Sequence, residues 1–453
     1  MTIDAGNDKV EVTLDNVNIK ADSGSALISK GDVTLTLKGD NHLTGGNGGS
    51  SSYGGDGITS SGSLTISGGT VTATGGDSTS SVGSGGSGIY SVSGDVTISG
   101  GTVNANGGDG KNGSGGGSGI DSSGGVTVSG GTVTANGGDS KDGSGGNGIY
   151  SSGGVTISSG STVTANGGNG EDGSGGRGIT SNGGVTVSGG TVNAKGGSGK
   201  NGNGGDGIRS FNPVAISGGT VNANGGNSDY SNGGDGIRSL DHVAISGGTV
   251  KSNGGSGNLS GGNGIISYDI DLSGSLELTA KAGSPNGKAL SRVGSELDLN
   301  TIKDKLDPGA KVTATDADGK VIQQVSIPRP VEPEEPVIPG DSSSSSGGGS
   351  ADASVQESVF PGLVVTDKDG QRISYTSTQS GNTLTVCVGR FTASLRASLA
   401  ALRQLRAEGI ETIAFQTILC STTLSVDELL AMGGEDAEAV LTHRLTDSSL
   451  TVG

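Results

Sequence analysis

Residues 148–168 decide the fold, and they read GIYSSGGVTISSGSTVTANGG. Three segments in this stretch, 148–151, 155–158 and 162–167, alternate apolar and polar residues with period two. Such alternation is typical of a β-strand that buries one face and exposes the other. Glycine pairs separate the segments, so the stretch predicts three short strands joined by tight turns.

The same pattern returns along the chain about every 30 residues. The Gly-Ile step recurs at intervals of 28 to 31 residues, at Ile58, Ile89, Ile120, Ile149, Ile179, Ile208, Ile237 and Ile265. The Thr-Val step recurs in parallel, at Val71, Val103, Val133, Val163, Val192, Val221 and Val250. Three strands in a turn of this length predict a parallel β-helix of about nine to ten coils over residues 1–326. We expect it to be right-handed, as parallel crossovers generally are.

The composition fits a fold with a thin core. Glycine supplies 95 of the 453 residues, while 29% of the residues are hydrophobic and 2% aromatic. One globular core of this length would need many more large apolar residues. A β-helix needs only a thin layer in each coil, such as Ile149, Val155, Ile157, Val163 and Ala165. A disordered Gly/Ser linker is disfavoured because the apolar columns stay in phase through at least seven coils.

The composition changes abruptly after the repeats. A hairpin over residues 312–325, with its turn at Asp318-Gly319, is expected to close the column. Five of the nine prolines then fall within residues 328–339, and a Ser/Gly run follows. This predicts a Pro/Ser/Gly linker over residues 327–352.

Residues 353–453 predict a small α/β domain that acts as a structural or interaction module. Strands are expected at 384–388 and 412–419, with a helix between them. That helix would present Leu395, Leu399, Leu402 and Leu405 on one face and end at Gly409. A capping box at Ser425 predicts a second helix, and residues 440–441 and 450–452 predict edge strands. Cys387 and Cys420 are read either as a disulfide or as two buried thiols.

Charge and hydropathy exclude several classes of protein. The formal net charge is −18 and lysine and arginine are not clustered, which argues against nucleic acid and anionic membrane surfaces as partners. No apolar run approaches the ~20 residues that a membrane-spanning helix needs. The first twelve residues show no signal-peptide pattern. A strand pattern begins within these residues, so we expect the natural start of the protein to lie upstream.

The outward positions of the third strand carry candidate ligand-binding residues. One position is threonine in seven successive coils, and the five central members are Thr102, Thr132, Thr162, Thr191 and Thr220. Threonine and asparagine dominate the two neighbouring positions. A flat lattice of hydroxyls and amides suits an extended polysaccharide, or the spacing of ice. Alternatively, threonine simply suits exposed strands, and stacked asparagines stabilise the helix.

A second outward column follows the Gly-Ile step: Thr59, Tyr90, Asp121, Tyr150, Thr180, Arg209, Arg238 and Ile266. Tyr90 and Tyr150 are candidates for stacking on a sugar ring. Arg209 and Arg238 are candidates for pairing with uronate carboxylates. The alternative is that each arginine offsets its own acid, Asp206 or Asp235.

Acidic residues of the glycine-rich loops are candidate calcium ligands, chiefly Asp139, Asp142, Asp172, Asp206 and Asp235. Calcium would also reconcile an acidic protein with an acidic glycan. Aspartate beside glycine is, however, ordinary turn chemistry. Residues 167–172 match the first six positions of the calcium-binding β-roll nonapeptide, but the other loops do not keep its aspartate.

Signals for an enzyme are weak. The three histidines, His42, His242 and His443, are scattered and have no evident nucleophile partner. The glycine-rich loops lack the lysine of a phosphate-binding loop. We therefore expect a non-catalytic protein, with a polysaccharide lyase as the catalytic alternative.

Several short motifs resemble one family of surface proteins. They are EVTLDNVNI at 11–19, VTLTLKGDNHLT at 33–44, and the repeated ISGGTV and GDGI. Residues 10–283 are thus similar to the carbohydrate-binding-domain proteins of anaerobic Gram-positive bacteria (Firmicutes), which have a pectate-lyase-like β-helix. The resemblance implies a secreted or surface-attached protein that binds plant polysaccharide with calcium. Residues 353–453 look similar to tail domains of gut Firmicutes surface proteins, which implies a cell-wall or protein partner.

The sequence thus predicts an extracellular or cell-surface protein that binds carbohydrate or mediates adhesion. Three alternatives come from other classes: a polysaccharide lyase, an ice-binding β-helix, and a purely structural surface stalk.

Overall fold

The chain forms two compact units, Met1–Glu334 and Glu335–Gly453. The structure is a computed structural model that describes residues 1–49, 52–79, 83–111, 115–328, 363–367, 371–373, 375–388, 392–417, 421–432, 438–443 and 448–452. Most of the predicted linker, residues 327–352, lies outside the described residues, as do the first ten residues of the segment predicted as the C-terminal domain.

The first unit is a parallel β-helix, which confirms the predicted fold. In the coil of residues 148–168, the three strands are Ile149–Ser151, Val155–Ile157 and Ser161–Asn166. Each pairs in parallel with the equivalent strand of the next coil, so the strands of successive coils form three long sheets. We call these sheets I, II and III, in the order of the strands within a coil.

Most strands belong to one sheet. Sheet I contains Ile58–Ser60, Ile89–Ser91, Ile120–Ser122, Ile149–Ser151, Ile179–Ser181, Ile208–Ser210, Ile237–Ser239, Ile265–Ser267 and Leu290–Arg292. Sheet II contains Val96–Ile98, Val126–Val128, Val155–Ile157, Val185–Val187 and Val214–Ile216. Sheet III contains Asn18–Lys20, Thr102–Asn106, Gly131–Asn136, Ser161–Asn166, Thr191–Lys195, Thr220–Asn224 and Lys311–Thr315.

Other strands bend around corners without a break. Leu64–Thr74, His242–Asn253 and Asp269–Lys281 each run from sheet II into sheet III. Leu27–Thr44 pairs with strands of all three sheets, and Thr2–Asp15 lies parallel to it.

The core is a narrow column of small apolar layers. Ile149, Val155, Ile157, Val163 and Ala165 are each at most 1% exposed, as predicted for this coil. Within the described residues, sheet III has eleven in-register rungs, at Ile19, Leu43, Ala73, Ala105, Ala135, Ala165, Ala194, Ala223, Ser252, Ala280 and Ala314. The solenoid is therefore slightly longer than the nine to ten coils predicted.

The C-terminal end of the solenoid is closed by antiparallel pairs. Val321–Ser326 pairs with Lys311–Thr315, which confirms the predicted hairpin. Val325 is buried in the same core as the coils. Ser295–Glu296 turns back on Leu290–Arg292, and a 3₁₀ helix, Leu299–Lys305, follows with Asp298 as its N-cap.

The glycine-rich segments, which the sequence predicts as loops, are part of the stacked scaffold. The amide of Gly146 donates to the carbonyl of Gly138 at 2.9 Å, and the carbonyl of Gly146 accepts from Gly168 at 2.9 Å. Such bonds alternate between the outgoing and returning legs of each segment, through Gly46, Gly55, Gly76, Gly86, Gly108, Gly117, Gly138, Gly146, Gly168, Gly176, Gly197, Gly205, Gly226, Gly234, Gly255, Gly262 and Gly283. We call these stacked legs the glycine flange.

The flange requires glycine because backbones meet there without space for a side chain. A Cβ on Gly146 would lie 1.9 Å from the carbonyl oxygen of Gly117. The fold therefore depends on the high glycine content. Only glycine allows the backbones of the flange to approach closely enough to bond to one another instead of to water.

The second unit contains two four-stranded sheets and two helices among its described residues. One sheet has the order Leu363–Thr366, Ala393–Ser398, Glu438–His443, Ser448–Val452, and the other Thr376–Ser380, Thr383–Cys387, Thr412–Gln416, Ser421–Ser425. The helices are Leu399–Ala407 and Val426–Met432. The α/β character agrees with the prediction for this part of the chain.

Two details of the C-terminal prediction are wrong. Leu395 lies in the strand Ala393–Ser398, which alternates buried and exposed residues, and the helix begins only at Leu399 after the N-cap Ser398. Glu438–His443 pairs on both sides and is therefore an interior strand. Its burial pattern explains this, because Ala439, Leu441 and His443 are all buried. The Cys387 thiol donates to Gln416 at 3.3 Å, whereas Cys420 lies outside the described residues, so their pairing stays a prediction.

Candidate functional site

Sheet III holds the predicted threonines in one straight column. Parallel pairing places Thr102, Thr132, Thr162, Thr191 and Thr220 opposite one another in successive coils, with Thr70 and Thr249 at the two ends. We call these seven residues the threonine column. All are half-buried or exposed. Within the described residues their hydroxyls make no hydrogen bond to the protein.

The neighbouring asparagines behave differently, because they bond to one another. Asn136 donates from Nδ2 to Asn106 Oδ1 at 2.9 Å, and Asn166 donates to Asn136 at 2.8 Å. Asn253 donates to Asn224 at 2.7 Å in the same column. These ladders match the alternative interpretation given above, in which stacked asparagines stabilise the solenoid.

The outward column of sheet I also has the predicted register. Tyr90, Asp121, Tyr150 and Thr180 lie opposite one another in turn. Tyr90 and Tyr150 are half-buried, and the Tyr150 hydroxyl accepts a hydrogen bond from Asn182 Nδ2 at 3.1 Å. Burial, with a contribution from the charge of Asp56, raises the pKa of Asp121 to about 6. The two tyrosines are thus separated by a carboxyl group that is costly to ionise.

Arg209 and Arg238 both pair with the acids that precede them. Arg209 lies 3.7 Å from Asp206, and Arg238 lies 3.3 Å from Asp235. Arg177 reaches Asp206 from the preceding coil at 3.6 Å. The two carboxylates are buried, and burial together with the charge of Asp206 raises the pKa of Asp235. Three guanidinium groups therefore lie along two buried carboxylates, as the ion-pair alternative predicted.

The predicted calcium ligands fall into two groups. Asp139, Asp142 and Asp172 are exposed on the flange, whereas Asp206 and Asp235 are buried at its base. Asp139 accepts from the backbone amide of Asn169 in the next coil at 2.6 Å, and Asp172 accepts from the Asn201 side chain. No group of three or more His, Cys, Asp or Glu residues that could hold a metal ion occurs within the described residues.

The histidines lie in separate surroundings. His42 and His242 belong to strands of the solenoid, and His443 is buried in the second unit, where Thr422 and Phe415 contact its ring. Burial lowers the pKa of His443 and so favours the neutral imidazole.

Among the described helices, none is long and apolar enough to cross a membrane.

Sequence reasoning missed an apolar strip at the corner that follows sheet I. It consists of Phe211, Leu240, Tyr268 and Val293, each directly after a sheet I strand in four successive coils. Phe211, Tyr268 and Val293 are 45%, 65% and 69% exposed. Arg209 lies over the Phe211 ring at 5.3 Å, and Arg238 lines a cleft of about 180 Å³ with Leu240, Tyr268 and Val293. Comparison of equivalent positions in successive coils would have revealed the strip.

Comparison with known families supports the β-helix. A family model described as Beta helix repeat matches residues 64–88, 96–118, 126–148 and 214–237. Comparison with curated proteins and with solved structures gives no match. The family model therefore agrees with the repeat architecture and carries no information on a ligand.

Proposed function

We propose that this protein is a non-catalytic, extracellular or cell-surface polysaccharide-binding protein whose threonine column contacts an extended glycan chain. The observation that carries the proposal is the row of hydroxyls that make no hydrogen bond within the described part of the chain, held in register by sheet III. Each hydroxyl offers one donor and two acceptor positions to the hydroxyls of a sugar. The strands of sheet III are fixed on both sides by neighbouring coils, so little conformational freedom is lost on binding.

Where the glycan is acidic, the proposal includes a calcium ion that bridges the protein and the glycan. Asp139, Asp142 and Asp172 are exposed on the flange, and a calcium ion held between such a carboxylate and a uronate would offset their repulsion. Residues 353–453 would then serve as the module that contacts a cell-wall or protein partner.

The first experiment measures retention of the 453-residue chain on insoluble cellulose and on pectate, with calcium and then with EDTA. The test variant combines Thr132→Val, Thr162→Val and Thr191→Val, which removes three hydroxyls and keeps β-branched side chains. The matched control combines Thr127→Val, Thr156→Val and Thr186→Val on the outward face of sheet II in neighbouring coils. We expect the test variant to lose at least about ten-fold in affinity, equivalent to ~1.4 kcal/mol, and the control to bind normally.

Equal binding by the two triple variants would remove the threonine column from the function. Retention on pectate that disappears with EDTA would support the calcium arm of the proposal. Binding to neither material would leave a structural stalk, whereas arrested ice growth or release of unsaturated, ultraviolet-absorbing products would point to the other two alternatives.

A further inference from the structure

The apolar strip occupies a position that the fold does not require to be apolar. In the three preceding coils the equivalent residues are Ser123, Ser152 and Asn182, and the backbone bonds are the same. The amide of Ser152 donates to Ser122 at 2.8 Å, and the amide of Phe211 donates to Ser181 at 3.0 Å. The exposed parts of Phe211, Tyr268 and Val293 bring no gain in folding, because they remain in water. Their presence in four successive coils therefore indicates contact with another molecule.

Val293 adds a second observation. It precedes Gly294 in the tight turn between Leu290–Arg292 and Ser295–Glu296, and both turn residues have positive φ, at 48° and 80°. Such turns favour asparagine or glycine, and a β-branched residue is strained there. The strained valine places its side chain 69% exposed at the end of the strip.

Guanidinium groups lie beside the strip. Arg209 lies over the Phe211 ring, and Arg292, directly before Val293, pairs with Asp269 at 3.0 Å. Arg238 lines the cleft, and its side chain is 37% exposed although it pairs with Asp235. Because a guanidinium has five donors, this pairing leaves donors for a second carboxylate.

We propose that the apolar strip and Arg238 bind a uronic acid unit of an acidic polysaccharide, with the apolar face of the sugar on Tyr268 and Leu240 and its carboxylate on Arg238. This inference rests on the proposed function and names the ligand class of a site separate from the threonine column. An aromatic ring beside a cationic fork suits a ring that carries both C–H groups and a carboxylate.

The dimensions of the strip favour an extended polymer as its ligand over a protein partner. Its four side chains succeed one another along the axis at the strand spacing of ~4.8 Å, so it is about 15 Å long and one side chain wide. A stable protein interface buries roughly 800 Å² on each partner, which a single row of four side chains cannot supply. An extended polymer needs only such a row.

The test compares the binding of the 453-residue chain to soluble polygalacturonate and to a neutral galactan, in EDTA. We expect Tyr268→Ala to weaken polygalacturonate binding about ten-fold. Val92→Ala is the matched control, since Val92 holds the equivalent position near the N-terminal end and is 44% exposed. Arg238→Gln should reduce binding to polygalacturonate and leave binding to galactan unchanged. Thermal melting checks that each variant folds.

Wild-type affinity in the folded Tyr268→Ala variant would overturn the inference. So would loss of self-association in that variant with unchanged glycan binding, since the strip would then join two copies of this chain. Failure of the wild-type protein to bind any glycan would instead refute the proposed function itself.

Discussion

At the scale of single residues, Asp121 is the clearest source of a pH effect. Its pKa is raised to about 6 by burial and by the charge of Asp56, while the ordinary value is 3.8. The folded protein therefore binds more protons than the unfolded chain between these values, so the free energy of unfolding falls as pH rises from about 4 to about 6 and levels off above that. We predict that Asp121→Asn raises the melting temperature at pH 7.5, by an amount equivalent to about 2–3 kcal/mol, and gives almost no gain at about pH 3.5, where the Asp121 carboxyl is largely protonated in both states.

The control for this effect is Asp142→Asn, which changes an exposed carboxylate on the flange. Thermal melts of the wild type and both variants at the two pH values would separate burial from a general effect of charge. An equal gain at pH 7.5 in both variants would mean that the net charge of −18 is the cause and that the environment of Asp121 is not.

At the scale of elements, the glycine flange makes a sharp prediction about substitution. A Cβ on Gly146 would meet the Gly117 carbonyl oxygen at 1.9 Å, whereas a Cβ on Gly154 in the next turn would have 3.6 Å to its nearest neighbour. We predict that Gly146→Ala destabilises the protein by at least about 2 kcal/mol, because either the stacked legs must separate or the backbone must strain.

The free energy of unfolding of the Gly154→Ala variant should lie within about 0.5 kcal/mol of the wild-type value, as is usual for surface substitutions. Chemical denaturation followed by circular dichroism measures both variants. If Gly146→Ala proved as stable as Gly154→Ala, the stacked arrangement of the flange would be wrong.

The repeated apolar residues were enough to predict the β-helix, because period-two segments every 30 residues leave few other arrangements. The flange was not predictable in the same way. A run such as residues 167–178 has no apolar side chains, and its order comes from backbone bonds that no side-chain pattern records. Leu395 was misplaced for a related reason, since a strand passes directly into a helix at Ser398 and both present leucines to one core.

The candidate site was predictable where register alone defines it. The threonine column follows from repetition once strands are known to stack. The apolar strip was missed because Phe211 and Tyr268 interrupt a serine-rich position, and an interruption appears only when coils are aligned with one another. The ion pairs of Arg209 and Arg238 follow from their spacing of three residues after Asp206 and Asp235.

At the scale of the whole molecule, a solenoid should tolerate the loss of a complete coil, because each coil contacts only its neighbours. Deleting residues 149–178 joins Gly148 to Ile179, which is the residue that pairs with Ile149 in the intact protein. We predict that this variant folds, retains the β-sheet signal in circular dichroism and melts only a few degrees below the wild type. It should also bind polysaccharide slightly less well, since Thr162 is lost from the threonine column.

Deleting residues 149–163, about half a coil, is the matched control. It joins Gly148 to Thr164, so residues that belong to sheet III would follow directly where a sheet I strand should begin. The strands after the junction would then no longer lie opposite their equivalents in the preceding coil. We expect this shorter deletion to aggregate or unfold, although it removes fewer residues. Comparable damage from the two deletions would show that stability depends on long-range contacts along the solenoid and not on the interfaces between adjacent coils.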